Sequence, residues 1–160
     1  MKKQIIDNFL PNDVFNNLKN LVMGNNFPYH FQNTVEKKDS DDDKFYFTHI
    51  LYDEKINSPY FDLFKPIIDK LNPKKLIRMK INCYTRTEKL EEHKPHTDYP
   101  YENLGCVLSF NTCNGYTKFE DETKVNSIEN RAVIFEANKP HNSTSCTDTQ
   151  ARFNININYN

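Results

Sequence analysis

The run Arg152-Phe153-Asn154-Ile155-Asn156-Ile157-Asn158-Tyr159 alternates polar and apolar residues without a break. Successive side chains of an extended strand leave on opposite faces. A period of two therefore predicts a β-strand with Phe153, Ile155, Ile157 and Tyr159 on one side and Arg152, Asn154, Asn156 and Asn158 on the other. Leu76 to Tyr84 repeats the pattern, with Ile77, Met79, Ile81 and Cys83 opposed to Arg78, Lys80, Asn82 and Tyr84. A face carrying such groups is either open to solvent or lines a polar cavity.

Outward from these two strands, the chain reads as helices first and strands after. The apolar run Gln4 to Leu10 stops at Pro11, and Pro11-Asn12-Asp13 has helix-start chemistry. Val14, Phe15, Leu18, Leu21 and Val22 then recur at helical spacing until Gly24. Phe27 to Val35 and Phe45 to Tyr52 read as aromatic-rich strands. The charged stretch Glu36 to Lys44 between them lacks the glycine and closing glutamate of a calcium loop, and reads as a solvated hairpin tip. Ser58-Pro59 caps a second helix that Pro66 is expected to kink. Further strands are expected at Cys106 to Thr112, after the Asn114-Gly115 turn, at Lys124 to Ile128 and at Arg131 to Glu136. Two early helices followed by about eight short strands predict a mostly β protein. Its expected architecture is a double-stranded β-helix, the cupin-like jelly roll, with N-terminal helices buttressing one sheet.

His96-Thr97-Asp98 is the chemically telling triplet. In an extended segment His96 and Asp98 share a face while Thr97 points away. A third ligand, His141, arriving from a distant strand, completes two imidazoles and one carboxylate with open positions opposite. That ligand set is the one used by non-haem Fe(II) oxygenases. His-x-Asp alone is weak, since any chain with a few such residues contains it by chance. The arginine opening the last strand adds specificity, because its planar fork suits the carboxylate of a dicarboxylic acid. His93 is a rival ligand through His93-Lys94-Pro95-His96, but an odd offset puts it on the other face, and a surface or outer supporting position is expected. His30 and His49 lie in aromatic segments without an acidic or cysteine partner and read as structural. Arg131 precedes His141 and reads as a turn residue.

With these residues in view, the chain resembles the 2-oxoglutarate and Fe(II)-dependent dioxygenases, in particular the prolyl-hydroxylase-like branch and its small bacteriophage homologues. The resemblance runs from Ile5-Ile6-Asp7-Asn8-Phe9-Leu10-Pro11 to the last strand. It implies that His96, Asp98 and His141 are the catalytic metal ligands and that Arg152 pairs with the far carboxylate of 2-oxoglutarate. Tyr84 matches the tyrosine that hydrogen-bonds the cosubstrate ahead of the His-x-Asp strand, and Asn154 lies on the same barrel face as Arg152. Thr117-Lys118-Phe119 matches the family's Gly-x-Thr-x-Phe segment, although the usual glycine pair is here Gly115-Tyr116. The polar strand faces then line a cavity. The implied cofactors are Fe(II), 2-oxoglutarate and O2, with ascorbate in support. The implied activity is hydroxylation of a C–H bond coupled to decarboxylation of 2-oxoglutarate. A peptide, with a prolyl residue as the default, or a small molecule is the implied substrate.

The alternative from a different class is a non-catalytic cupin-like module that holds a metal or ligand without turnover. Arg152 argues against it, since a metal holder has no need of a carboxylate anchor. Repair of alkylated nucleic acid lacks its second arginine, because Asn158 stands six past Arg152. Halogenating relatives lose the carboxylate that is here Asp98.

Composition sets the outer bounds. At 160 residues and 19.0 kDa, residues 1–160 are expected to form one domain. A net charge of −1 gives no field to gather nucleic acid or anionic lipid, so neither is an expected partner. No apolar run approaches the roughly 20 residues that span a bilayer. An acidic residue at Asp7 interrupts any signal-peptide core, and the expected location is the cytoplasm. Cys83, Cys106, Cys113 and Cys146 have no C-x-x-C spacing and read as buried free thiols. Abundant Asn, Lys, Ile, Phe and Tyr beside 3 glycines and no tryptophan suggest an AT-rich genome, in keeping with a phage-encoded, host-expressed protein.

Overall fold

The computed structural model describes residues 3–35 and 44–160. The expected hairpin tip at Glu36 to Lys44 therefore lies, but for Lys44, outside the described residues. The chain orders as β1 (Gln4–Ile6), α1 (Asn12–Val22), β2 (His30–Gln32), β3 (Tyr46–Asp53), β4 (Lys55–Ile56), a 3-10 turn (Phe61–Phe64), α2 (Lys65–Leu71), β5 (Leu76–Thr85), β6 (Leu104–Ser109), β7 (Tyr116–Phe119), β8 (Lys124–Asn126), β9 (Ala132–Glu136), β10 (His141–Ser143) and β11 (Ala151–Tyr159). The large sheet runs β1-β9-β6-β11-β5-β3-β2, with β4 on β3, and the small one runs β10-β7-β8. Every pairing of named strands is antiparallel. This is the double-stranded β-helix anticipated from the sequence.

The alternating strands explain the layering. Strand β11 pairs with β5 on one side and β6 on the other, so it sits at the middle of the large sheet. Its isoleucines Ile155 and Ile157, with Met79, Ile81 and Leu108, join Phe15, Leu18 and Val22 of α1 and Phe64 and Ile67 of the second helical segment in one core. Fully burying one such side chain contributes roughly 1.5–3 kcal/mol, so this layer carries the helices. The opposite face of the large sheet meets the small sheet through Val107, Phe119, Val125, Val133 and Phe135. Between those layers lie the polar faces of β5 and β11.

Three local expectations are corrected. Phe27 to Val35 forms strand only at His30–Gln32. Pro66 does not kink a continuous helix; it lies in the first turn of α2, where its missing N–H costs nothing, after a separate 3-10 turn. Ser58 lies just ahead of that turn, its Oγ accepting from Tyr60 N at 3.1 Å. His96 and Asp98 do not lie in a regular strand, although the chain there is tied to the small sheet by an isolated bridge between His96 and His141. All four cysteines are free thiols. Among the described residues, no helix is long and apolar enough to cross a membrane.

Candidate metal centre

The bridge between His96 and His141 is closed by reciprocal backbone hydrogen bonds of 2.9 Å, and Asp98 N donates to Ala137 O at 3.0 Å. These bonds keep residues 96–98 extended, so His96 and Asp98 share a face as a strand would impose. Candidate ligand atoms of His96, Asp98 and His141 all lie within 4.8 Å of one another. His96 Nε2 is 3.7 Å from Asp98 Oδ1, and His141 Nε2 is 3.8 Å from Asp98 Oδ2. His141 Nδ1 lies 2.9 Å from Lys139 O, a bond that places the proton on Nδ1 and leaves the Nε2 lone pair free for a metal on the side that faces Asp98. Burial holds the His141 ring below the usual histidine range, partly offset by Asp98, so it stays neutral and able to ligate.

Asp98 is held from the other side by β5 and β11. Arg78 Nη2 donates to Oδ1 at 3.0 Å, while Asn158 and Asn156 donate to Oδ2 at 2.8 and 3.3 Å. Burial alone would raise this carboxyl. The neighbouring His96 ring, the charge of Arg78 and the Asn158 amide outweigh it and hold Asp98 far below the ordinary carboxylate range. Arg78 and Asn158 are site residues that sequence reading missed as such. Their signal was their place on the same polar faces as Tyr84 and Arg152.

The expected anchor Arg152 is 1 % exposed, yet among the described residues it has no carboxylate partner. Its Nη1 donates to Thr144 O at 3.1 Å and Nη2 to Thr117 Oγ1 at 3.2 Å, while Nε has no partner. Thr117 is paired with Ser143, two residues along β10 from His141. The guanidinium is thus tied to the small sheet one strand repeat, roughly 6.6 Å, from the position of His141. Gly115 makes room for it: a Cβ there would lie 2.7 Å from Arg152 Cδ and 2.6 Å from Ser145 O. An unpaired buried guanidinium is costly, and an anion of ligand origin is the natural remedy.

Tyr84 packs against this anchor, with the guanidinium carbon 5.8 Å from its ring centre. Burial, with Tyr46 adding, pushes the Tyr84 phenol up, so the hydroxyl remains a donor. One cavity is lined by Tyr84, Asn82, Asn154, Asn156, Thr117, His96 and His141. Tyr84 and Asn154 therefore both face the cavity, and Asn154 Oδ1 already accepts from Asn82 Nδ2 at 2.9 Å.

The rival residues fall away from the centre. Of the surface or outer supporting position expected for His93, the structure gives the second: it is buried, with Nδ1 2.8 Å from Ser143 Oγ and its ring 5.3 Å from that of Tyr84. Arg131 grips Asp7 through Nε and Nη2 at 2.5 and 2.8 Å, as a turn residue can. His49 is satisfied by Pro28 O and Ser58 Oγ at 2.8 and 2.7 Å, a structural role.

Solved structures share this architecture over nearly the whole chain. A prolyl hydroxylase from Trichoplax adhaerens, in complex with a hypoxia inducible factor peptide fragment, superposes with a TM-score of 0.74 at 13% identity, over 98% of this chain and 82% of that one. This chain carries the 2-oxoglutarate/Fe(II) oxygenase fold. The viral collagen prolyl hydroxylase of Paramecium Bursaria Chlorella virus-1 gives 0.63 at 10% identity, over 99% and 94% of the two chains. The epimerase SnoN of nogalamycin biosynthesis, bound to Fe3+, alpha ketoglutarate and nogalamycin RO, gives 0.68 at 10% identity, over 98% and 78%. No protein-family model and no curated protein sequence matches the chain. Within this oxygenase fold, two imidazoles and a carboxylate form the donor set expected of an open iron site, and the unpaired Arg152 suits a dicarboxylate's far end.

Proposed function

We propose that this protein is an Fe(II)- and 2-oxoglutarate-dependent dioxygenase that hydroxylates a C–H bond. One observation carries the reading: a His96, Asp98 and His141 cluster within 4.8 Å shares a strand path with a fully buried arginine that has no acidic partner among the described residues. A metal holder needs the cluster but not the arginine.

In this reading His96 Nε2, Asp98 and His141 Nε2 hold iron on one side of the cavity, and Arg152 holds the distal carboxylate of 2-oxoglutarate. Bound iron with the keto acid supplies oxygen activation, driven by decarboxylation to succinate and carbon dioxide. The chain's own contribution is placement. Lys139 O fixes the His141 tautomer, Arg78, Asn156 and Asn158 orient Asp98, and Tyr84 offers a hydroxyl proton toward the cosubstrate. The burial of Arg152 strengthens its charge-assisted hydrogen bonds to roughly 1.5–3 kcal/mol. The Trichoplax neighbour holds a peptide and SnoN a small molecule, so this reading admits a peptidyl residue, proline included, or a small molecule as primary substrate.

The test is anaerobic calorimetry of 2-oxoglutarate into protein loaded with Fe(II), followed by succinate release in air with ascorbate. Wild type is expected to bind 2-oxoglutarate. Arg152→Ala should lose at least about tenfold in affinity, and Arg152→Lys should recover part of it. His96→Ala, Asp98→Ala and His141→Ala should each lose iron while remaining folded. Absent 2-oxoglutarate binding by wild type, or unchanged binding in Arg152→Ala, defeats the proposal.

A further inference from the structure

Arg152 accounts for one cation in the barrel, and Lys80 is a second. Lys80 lies on the polar face of β5, paired in register with Asn156 of β11, whose amide reaches Asp98 Oδ2 at 3.3 Å. Its Nζ donates to Tyr46 Oη at 3.1 Å and sits 5.4 Å from the centre of that ring. Both contacts are neutral. Among the described residues no carboxylate stands within ion-pair distance of Nζ; burial pushes this amine below its usual range, with Arg78 adding to the effect and Tyr84 and the Asp98 charge partly opposing it. The side chain is half-buried, and an ammonium so placed with only neutral contacts gains from meeting an anion.

The two cations serve separate places. Lys80 rests on Tyr46 and Arg152 on Tyr84, and those two rings stack on each other with centres 5.3 Å apart. A dicarboxylate anchored at Arg152 uses its other end at the metal, so it leaves Lys80 unmatched. Lys80 nonetheless lines the same cavity as His96 and His141. Two buried acceptors in that cavity wall, Asn82 Oδ1 and Asn156 Oδ1, also lack a donor. The cavity therefore asks for a negative charge at Lys80 and for N–H or O–H groups beside it.

We infer that Lys80 binds a carboxylate of the primary substrate, which makes the substrate a polar acid of the amino-acid or hydroxy-acid kind. This rests on the dioxygenase reading and sharpens it. Asn156 bridges the Lys80 position and the Asp98 position, so a substrate held at Lys80 presents carbons close to its carboxylate to the metal side of the cavity. The same carboxylate chemistry is available from a free acid or from an acidic side chain of a peptide, and the free acid is favoured because the donorless Asn82 Oδ1 and Asn156 Oδ1 in the cavity wall suit the N–H or O–H group that an amino or hydroxy acid carries beside its carboxylate.

The test is calorimetry, without oxygen, on Mn(II)-loaded protein saturated with 2-oxoglutarate. The probes are free L-amino acids and 2-hydroxy acids, each beside its neutral primary amide, together with the blocked peptides Ac-Glu-NHMe and Ac-Asp-NHMe. At least one acid should bind about tenfold tighter than its amide. Lys80→Met should erase that discrimination and Lys80→Arg should keep part of it, while both bind 2-oxoglutarate within about twofold of wild type. Lys80→Met keeps the stem and removes a half-buried charge that has no ion-pair partner among the described residues, so its Tm should hold or rise, which controls for misfolding. Tighter binding of the blocked peptides assigns the carboxylate to an acidic side chain, and tighter binding of free acids to a small molecule; either supports a carboxylate at Lys80. Equal binding of acid and amide, no binding by any probe, or loss of 2-oxoglutarate binding in Lys80→Met overturns the inference. A wild type that never binds 2-oxoglutarate fails at the first titration, which marks failure of the dioxygenase reading itself.

Discussion

Arg78 Nη2 stands 3.0 Å from Asp98 Oδ1, and among the described residues it is the only arginine or lysine paired with that carboxylate. The Arg78 side chain is 19% exposed and that of Asp98 4%. Before metal arrives, Arg78 is the charge that neutralises Asp98.

Removing that arginine should expose the cost. Arg78→Met leaves a buried carboxylate short of a counter-charge, and the metal-free protein should lose roughly 3 kcal/mol. Added metal supplies the missing positive charge, so the metal-induced rise in Tm should be larger in the variant than in wild type. Thermal melts with and without Mn(II) measure both. Equal metal-induced rises would show that Arg78 does not share the charge of Asp98 with the metal.

Gly115 sets the room available to the anchor. A methyl group there would meet the Ser145 backbone oxygen at 2.6 Å as well as the Arg152 stem, and the backbone cannot swing aside as a side chain can. Gly115→Ala should cost roughly 1–3 kcal/mol by overpacking. It should also weaken 2-oxoglutarate binding far more than iron binding. Calorimetric titration of each ligand separates the two effects.

His93 should shape the acid limb of stability. Burial, followed by the nearby Lys44, Arg152 and His96 charges, brings its folded pKa to about 3, against roughly 6.5 for an unfolded histidine. Between those values the unfolded chain binds the extra proton, so stability is fully present above about pH 6.5 and falls as pH drops toward 3. Tyr84 and Ser143 pack on the ring but carry no charge in this range. In metal-free protein, His93→Gln should flatten the fall in ΔG from pH 6.5 to 4.5, by up to about 1.4 kcal/mol per pH unit. Parallel curves for wild type and variant would refute it.

Asn130 ties the N-terminal segment to the turn before β9. Its side chain accepts from Leu10 N at 3.0 Å and donates to Leu10 O at 2.8 Å, and its backbone has φ 58°. Asn130→Ala removes both bonds and places a less tolerant residue in the left-handed region, a loss of roughly 2–4 kcal/mol. Asn130→Gly, which keeps the conformation, should lose less. Urea unfolding of the pair distinguishes the two terms.

The sequence by itself determined the strands that bear the site. Alternation in Leu76 to Tyr84 and Arg152 to Tyr159 is a local property of an extended chain, so it reads correctly without knowing the neighbours. The same holds for α1, whose apolar spacing and Pro11 start are contained in one short segment. The pattern His96, Asp98, His141 and Arg152 was equally legible, because ligand chemistry limits which residue types can serve. Tertiary structure alone decided what surrounds them. Whether the polar face of β5 meets water or a cavity depends on the small sheet packed over it, and only that packing turns Arg78 into the partner of Asp98 and leaves Lys80 half-buried with no carboxylate in ion-pair distance among the described residues. For His93 the odd offset told which way the side chain leaves the chain and left a surface or an outer supporting position open; the choice between them depends on Tyr84 and Ser143, which lie far away in sequence and next to it in space.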